Sequence, residues 1–218
     1  MMIVLQNKQL SLLKQKIDKM ISMLKTQDVF ATAKFKPALQ IISNNINQCI
    51  INDFDGIVEL SRYVYEDWRN VCVGKSGMQN WYLNISDLNL KAKCNKLFEE
   101  IALSVEQILG TNFIVPRKWY FYDELIKLGK QYKEREGNWN AVIEELVNAH
   151  KYCQSPMEQV PNDIWSFARI RYLAESDDVL EEWFQKDIPA FGYLSPVQIL
   201  KMENGGDILR ILMYNIPI

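Results

Sequence analysis

Apolar residues recur at intervals of three and four along almost the whole chain, the spacing of helices that bury one stripe and wet the other. In the first segment Leu5, Leu10, Leu13, Ile17, Met20, Ile21 and Leu24 keep this rhythm with lysines between them, which predicts an amphipathic helix. Leu39, Ile41, Ile42, Ile46, Cys49 and Ile50 give a second helix its face, with Pro37 near its start and Asn52-Asp53 at its end. Asp55-Gly56 opens a third, lined by Ile57, Leu60, Ser61, Val64 and Trp68. Periodicity breaks from Gly74 to Asn84, which reads as a loop or short extended stretch. A long helix follows, with Leu90, Cys94, Leu97, Phe98, Ile101, Val105, Ile108 and Leu109 as its apolar residues and Gly110 as its stop. Beyond Pro116, Trp119-Tyr120-Phe121-Tyr122 starts another helix through Leu125 and Leu128, and Gly137-Asn138 separates it from a helix over Trp139 to His150. The expected class is all-α.

The most tightly punctuated stretch is the last. Ser195-Pro196-Val197-Gln198 has a capping residue, a proline at the first helical position, where its missing N–H costs nothing, and a glutamine placed to complete a capping box. That helix ends at Asn204-Gly205-Gly206, where a left-handed residue is available, and Asp207 opens the next, over Ile208, Leu209, Ile211, Leu212 and Met213. Two short antiparallel helices result. Ser155-Pro156 and Val160-Pro161 mark a boundary between Gln154 and Pro161, dividing a helical domain at 1–154 from a small one at 161–218; Asn112 to Pro116 is the alternative boundary.

Asp187-Ile188-Pro189-Ala190-Phe191-Gly192-Tyr193-Leu194-Ser195-Pro196, followed by Ile199-Leu200, Glu203, Gly205, Ile208-Leu209, Leu212 and Ile216, resembles the toxin-binding domain of the bacterial MbcA/ParS/Xre-type antitoxins. Ser176 to Phe184 fits the short helix that the family sets ahead of this turn. The resemblance covers Asp163 to Ile218 and implies a small helical domain that neutralises a cognate toxin, of the NAD-consuming kind, by direct contact. It implies a partner-binding set of Phe191, Tyr193, Ser195, Pro196, Arg210, Tyr214, Asn215 and Ile218, with the terminal segment reaching into the toxin's cleft. Two departures stand out: Tyr193 occupies a position where the family often has a small residue, and the helix-turn-helix that full-length members usually carry in front is not identified in this sequence.

Composition narrows the picture. With 218 residues, 48% of them hydrophobic, the chain can bury a sizeable core. A net charge of −2 gives no global field for capturing nucleic acid or an anionic membrane. The distribution is uneven: residues 1–50 carry a balance of +5 and residues 151–218 one of −4. The lysines of the first segment read as solvated helix faces; a nucleic-acid-associated module using Lys14, Lys16 and Lys19 is the alternative. Cys49, Cys72, Cys94 and Cys153 lie far apart and form no CxxC pair, and His150 is the single histidine, so neither zinc nor any other cofactor is expected. Unpaired cysteines, and an opening apolar run too short for a secretory leader, lead to the expectation of a reduced cytosolic protein. No apolar run is long enough to span a bilayer.

Candidate catalytic motifs dissolve on inspection. Gly74-Lys75-Ser76 lacks the earlier glycine of a phosphate loop, because Arg69 stands at that position. The pairs Glu99-Glu100, Glu144-Glu145, Asp177-Asp178 and Glu181-Glu182 diverge by about 100° on a helix, so adjacency alone does not converge two carboxylates; Asp177 and Asp178 suit a first helical turn. His150 and Cys153 are close enough in sequence to meet on a helix, but a helix-end histidine is the simpler reading. An unrecognised helical hydrolase built on the clustered acids remains a further alternative. The richer signal is aromatic: Trp119 to Tyr122 cannot place four rings on one buried face, so some surface is aromatic, as partner-binding surfaces are. The expected function is stoichiometric protein binding without turnover, with homo-oligomerisation left open.

Overall fold

The computed structural model describes residues 3–24, 29–74, 76–83, 85, 87–172 and 176–215, the side chains of 29–32 excepted. It is all-α: the described residues form nine α-helices and two single 3-10 turns, with one isolated antiparallel bridge between Ile188 and Leu194. The helices are α1 (Asn7–Met23), α2 (Val29–Ile51), α3 (Ile57–Cys72), α4 (Leu88–Leu109), α5 (Tyr122–Asn148), α6 (Asn162–Arg171), α7 (Asp177–Gln185), α8 (Pro196–Leu200) and α9 (Gly205–Asn215). The chain divides into two compact units, Met1–Pro116 and Arg117–Ile218. The division falls at the alternative stretch, Asn112 to Pro116, and the segment from Gln154 to Pro161 lies inside the second unit.

In the first unit α1 packs on α2 and α4, and α2 packs on α3. Leu10, Leu13, Ile17 and Met20 of α1 are fully buried, as the spacing predicts, and meet Leu39, Ile42 and Ile46 of α2. Each such side chain contributes roughly 1.5–3 kcal/mol by leaving water. Phe35, Trp81 and Phe98 form an edge-to-face chain, with centroids 5.3 and 5.4 Å apart, that pins the loop after α3 to the core.

Two expectations for this unit need correction. Pro37 lies within α2, not near its start. It sits on the exposed face, as does Ala33, so water can reach the carbonyl that loses its helical partner. The buried face of α4 is rotated from the apolar reading: Leu90 and Leu97 are exposed, while Lys91, Asn95, Glu99 and Glu106 are buried. Lys91, Asn95 and Glu106 each find there a partner that periodicity does not weigh. The Asn95 amide brackets the loop, accepting from Leu83 N–H at 2.6 Å and donating to Leu83 C=O at 2.9 Å. Lys91 lies over the Tyr82 ring at 5.1 Å. The Glu106 carboxylate accepts from Trp68 Nε1, Thr111 Oγ1, Phe113 N and Ile114 N at 3.0–3.2 Å, satisfying groups that would otherwise be stranded after the helix ends at Gly110.

In the second unit α5 lies along α9, which also meets α6 and α8, and α7 meets α8. α5 starts at Tyr122, so Trp119 to Phe121 precede the helix, and Glu124 accepts from Phe121 N–H at 3.0 Å to cap it. It runs unbroken through Gly137-Asn138. Gly137 has open space around it and costs only about 1 kcal/mol in a helix. Burying Leu125, Tyr132 and Trp139 on one face outweighs that. His150 lies past the end of α5 in a left-handed conformation (φ 53°), and Cys153 is outside any helix, bonded through its N–H to Ser166 Oγ at 2.9 Å.

Candidate functional site

The turn and helix pair at the end of the second unit form as the residues dictate. Ser195 Oγ accepts from Gln198 N–H at 3.2 Å, and Gln198 Oε1 accepts from Ser195 N–H at 2.9 Å, which completes the capping box with Pro196 at the first position. Asn204 supplies the left-handed residue (φ 55°) between α8 and α9, and α9 begins at Gly205 instead of Asp207. Gly205 is required by closeness: a Cβ there would collide with the Ile199 carbonyl oxygen and stand 2.8 Å from Leu200 Cα.

Ahead of α8 the chain makes a tight loop. Ile188 N–H donates to Leu194 C=O at 3.1 Å, and Tyr193 N–H donates to Ile188 C=O at 3.0 Å. Gly192 (φ 69°) and Tyr193 (φ 62°) are both left-handed. For glycine this is free, but for a bulky residue it costs about 1–2 kcal/mol. Tyr193 is held there by stacking on Trp119, with centroids 4.7 Å apart, and the Arg117 guanidinium lies 5.4 Å from its ring and 5.0 Å from that of Trp119.

The residues implied by the resemblance separate into two kinds. Phe191, Ser195 and Pro196 are buried; Phe191 packs edge-on to Trp183 at 6.1 Å, and Ser195 and Pro196 build the start of α8. Arg210 is committed internally: Nε and Nη2 donate to the two oxygens of Asp163 at 2.7 and 3.2 Å, and Nη1 donates to Asp207 at 3.0 Å. Tyr193 is half-buried, whereas Tyr214 and Asn215 are exposed. Asn215 Oδ1 accepts from Arg135 Nη1 at 2.8 Å, and Tyr214 shares with Arg135, Tyr132 and Trp139 a shallow notch between α5 and α9. Ile218 and Ile216 lie outside the described residues.

Sequence reasoning missed the polar centre of this unit. Asp163 of α6 takes three hydrogen bonds, two from Arg210 of α9 and one from Trp139 Nε1 of α5 at 3.0 Å. Burial opposes ionisation of Asp163, yet the hydrogen bonds and charge of Arg210, with Trp139, hold its carboxyl below the usual range; the same pairing holds Arg210 above its own. Burial raises the Tyr132 phenol beside them. These groups join α5, α6 and α9, and the only signal for them in sequence was an Arg inside an apolar run.

The basic first segment is partly neutralised. Lys14 donates to Asp18 at 2.6 Å, and Asp18 also accepts from Ser43 Oγ at 2.5 Å; Lys8 and Lys19 are exposed. Cys72 is buried beside Glu106, and its thiol is pushed far up by desolvation, which leaves it inert. Among the described residues no group of three His, Cys, Asp or Glu side chains could hold a metal ion, and no helix is long and apolar enough to cross a membrane. Set against known proteins, the chain matches no family model, no curated protein and no solved structure.

Proposed function

We propose that the chain is a non-catalytic protein-binding module of the antitoxin type, which neutralises a cognate toxin by covering it and makes or breaks no bond. The observation that carries this reading is the turn and helix pair from Ile188 to Asn215. Its capping box, left-handed turn residues and close helix approach fix a rigid frame, and that frame leaves Tyr193 partly uncovered and Tyr214 exposed. Aromatic side chains on such a frame bury much area with few rotors to freeze, which is how protein-binding anchors work.

The buried members of the resembling pattern act on the frame, and the exposed ones on the partner. Phe191, Ser195, Pro196 and Arg210 are therefore positioning residues; Tyr193, Tyr214 and Asn215 form the contact surface. The carboxylates Asp163 and Glu106 are both saturated with donors of their own unit, which favours a structural role for each over acid–base work.

The test is co-expression of the full chain with an NAD-consuming toxin from a neighbouring gene, the partner class that this reading implies. Growth should be restored and the two proteins should co-purify. Tyr214→Ala should weaken the complex at least about tenfold, as an aromatic anchor does, with the fold unchanged by circular dichroism. Failure of the folded chain to bind that toxin would overturn the proposal.

A further inference from the structure

The first unit carries a cleft of about 150 Å³ between α2 and α3, walled by Phe35, Ala38 and Ile41 of α2 and by Asp67, Asn70 and Val71 of α3, with Lys34 also on its wall. Phe35 is fully buried and forms a firm floor; Ile41 is exposed and leaves the cleft open to solvent. Asp67 is the one anion among the described residues of this lining. Its neighbours are engaged: Glu66 accepts from Arg62 at 3.2 Å, and Lys34 donates to the Ser76 carbonyl at 2.6 Å and to the Ser76 hydroxyl. The Asp67 carboxylate has no hydrogen bond or ion pair among the described residues.

Partial burial against apolar walls, followed by the charge of Glu66, raises the Asp67 carboxyl above its ordinary range. A carboxylate so placed gains from a cation that brings its own donors, and the void beside it has room for that cation's apolar body. At about 150 Å³ the open cleft has the volume that one benzene-sized ring occupies in a protein cavity.

We propose that the α2–α3 cleft binds a small primary amine in its ammonium form, the ammonium donating to Asp67 and an apolar body the size of one phenyl ring lying on Phe35, Ala38 and Val71. The charge selects the amine, and the walls select its shape. A polar amine without such a body would leave the walls wet; an apolar molecule without the charge would leave Asp67 unmatched. This site lies in a different unit from the surface assigned to protein binding and does not depend on it.

The experiment titrates the nitrogen-15-labelled full chain with phenethylamine, its neutral isostere phenethyl alcohol and the anion hydrocinnamate, following amide shifts. The amine should bind about fivefold more tightly than the alcohol, the upper range for a partly exposed ion pair, with the largest shifts at Ala38, Asp67 and Val71. Asp67→Asn should remove that preference and keep the alcohol's affinity. Ala38→Phe should fill the void and remove both. The proposal is overturned if no probe moves these amides, if the three probes bind equally, if hydrocinnamate is preferred, or if the preference survives in Asp67→Asn.

Discussion

Replacing Asp163 with Asn removes one charge and one acceptor oxygen from the point where α5, α6 and α9 meet. In the wild type one carboxylate oxygen takes both Arg210 Nε at 2.7 Å and Trp139 Nε1 at 3.0 Å, and the other takes Arg210 Nη2 at 3.2 Å. An amide keeps one of these oxygens and turns an NH2 group toward a donor in place of the other. Breaking a fully buried pair costs about 3–5 kcal/mol. Here the Asp163 and Arg210 side chains keep 21% and 19% exposure, and Asp207 still lies 3.0 Å from Arg210, so the expected loss is about 2–3 kcal/mol. Urea unfolding followed by tryptophan fluorescence reads it as a midpoint lowered by roughly 1–2 M. The pH dependence gives a second, independent readout. Asp163 has a folded-state pKa below its unfolded value, so its contribution is complete above about pH 4 and is lost as pH falls through the folded value. The gap between wild type and variant should therefore narrow below about pH 4. A loss under about 0.5 kcal/mol at pH 7, or a gap unchanged at pH 3, would refute the assignment of this pair as the centre of the unit.

Gly205→Ala should destabilise the second unit by about 1–3 kcal/mol, because the added methyl meets backbone of α8 that no rotamer change can move, and thermal unfolding will report it. Pro37→Ala should instead stabilise the first unit by about 1–3 kcal/mol, since it restores an exposed helical hydrogen bond and removes a ring clash within α2; an unchanged urea midpoint would show that α2 is bent there to suit its packing.

Local stop and start chemistry was legible in the sequence because it acts within four residues. Ser195 with Gln198, Gly110 after α4, Gly56 before α3 and the acids in the first turn of α7 all take their expected positions. What escaped depends on distant partners. Lys91, Asn95 and Glu106 look like solvent-facing residues of α4 until Tyr82, Leu83, Trp68 and the backbone at Phe113 and Ile114 are brought to them. Asp163 and Arg210 are 47 residues apart. The two prolines at Pro156 and Pro161 suggested a linker, but Ser155 N–H donates to Asn162 Oδ1 at 2.9 Å, and Ser166 Oγ bonds both Cys153 N–H and Cys153 C=O, so the segment is tied down on α6. Of the site residues, the pattern identified the right stretch of chain yet could not separate frame from surface, since Phe191 and Tyr214 differ in burial and not in chemical type.

The central claim is the proposal that Tyr193, Tyr214 and Asn215 meet the partner. Hydrogen–deuterium exchange of the full chain, with and without the proposed partner toxin, measures this directly. Binding should slow exchange at residues 188–195 and along the end of α9, and leave α1 to α4 unchanged. Protection confined to the first unit, or unchanged exchange at 188–195 and α9 in a saturated complex, would contradict the account.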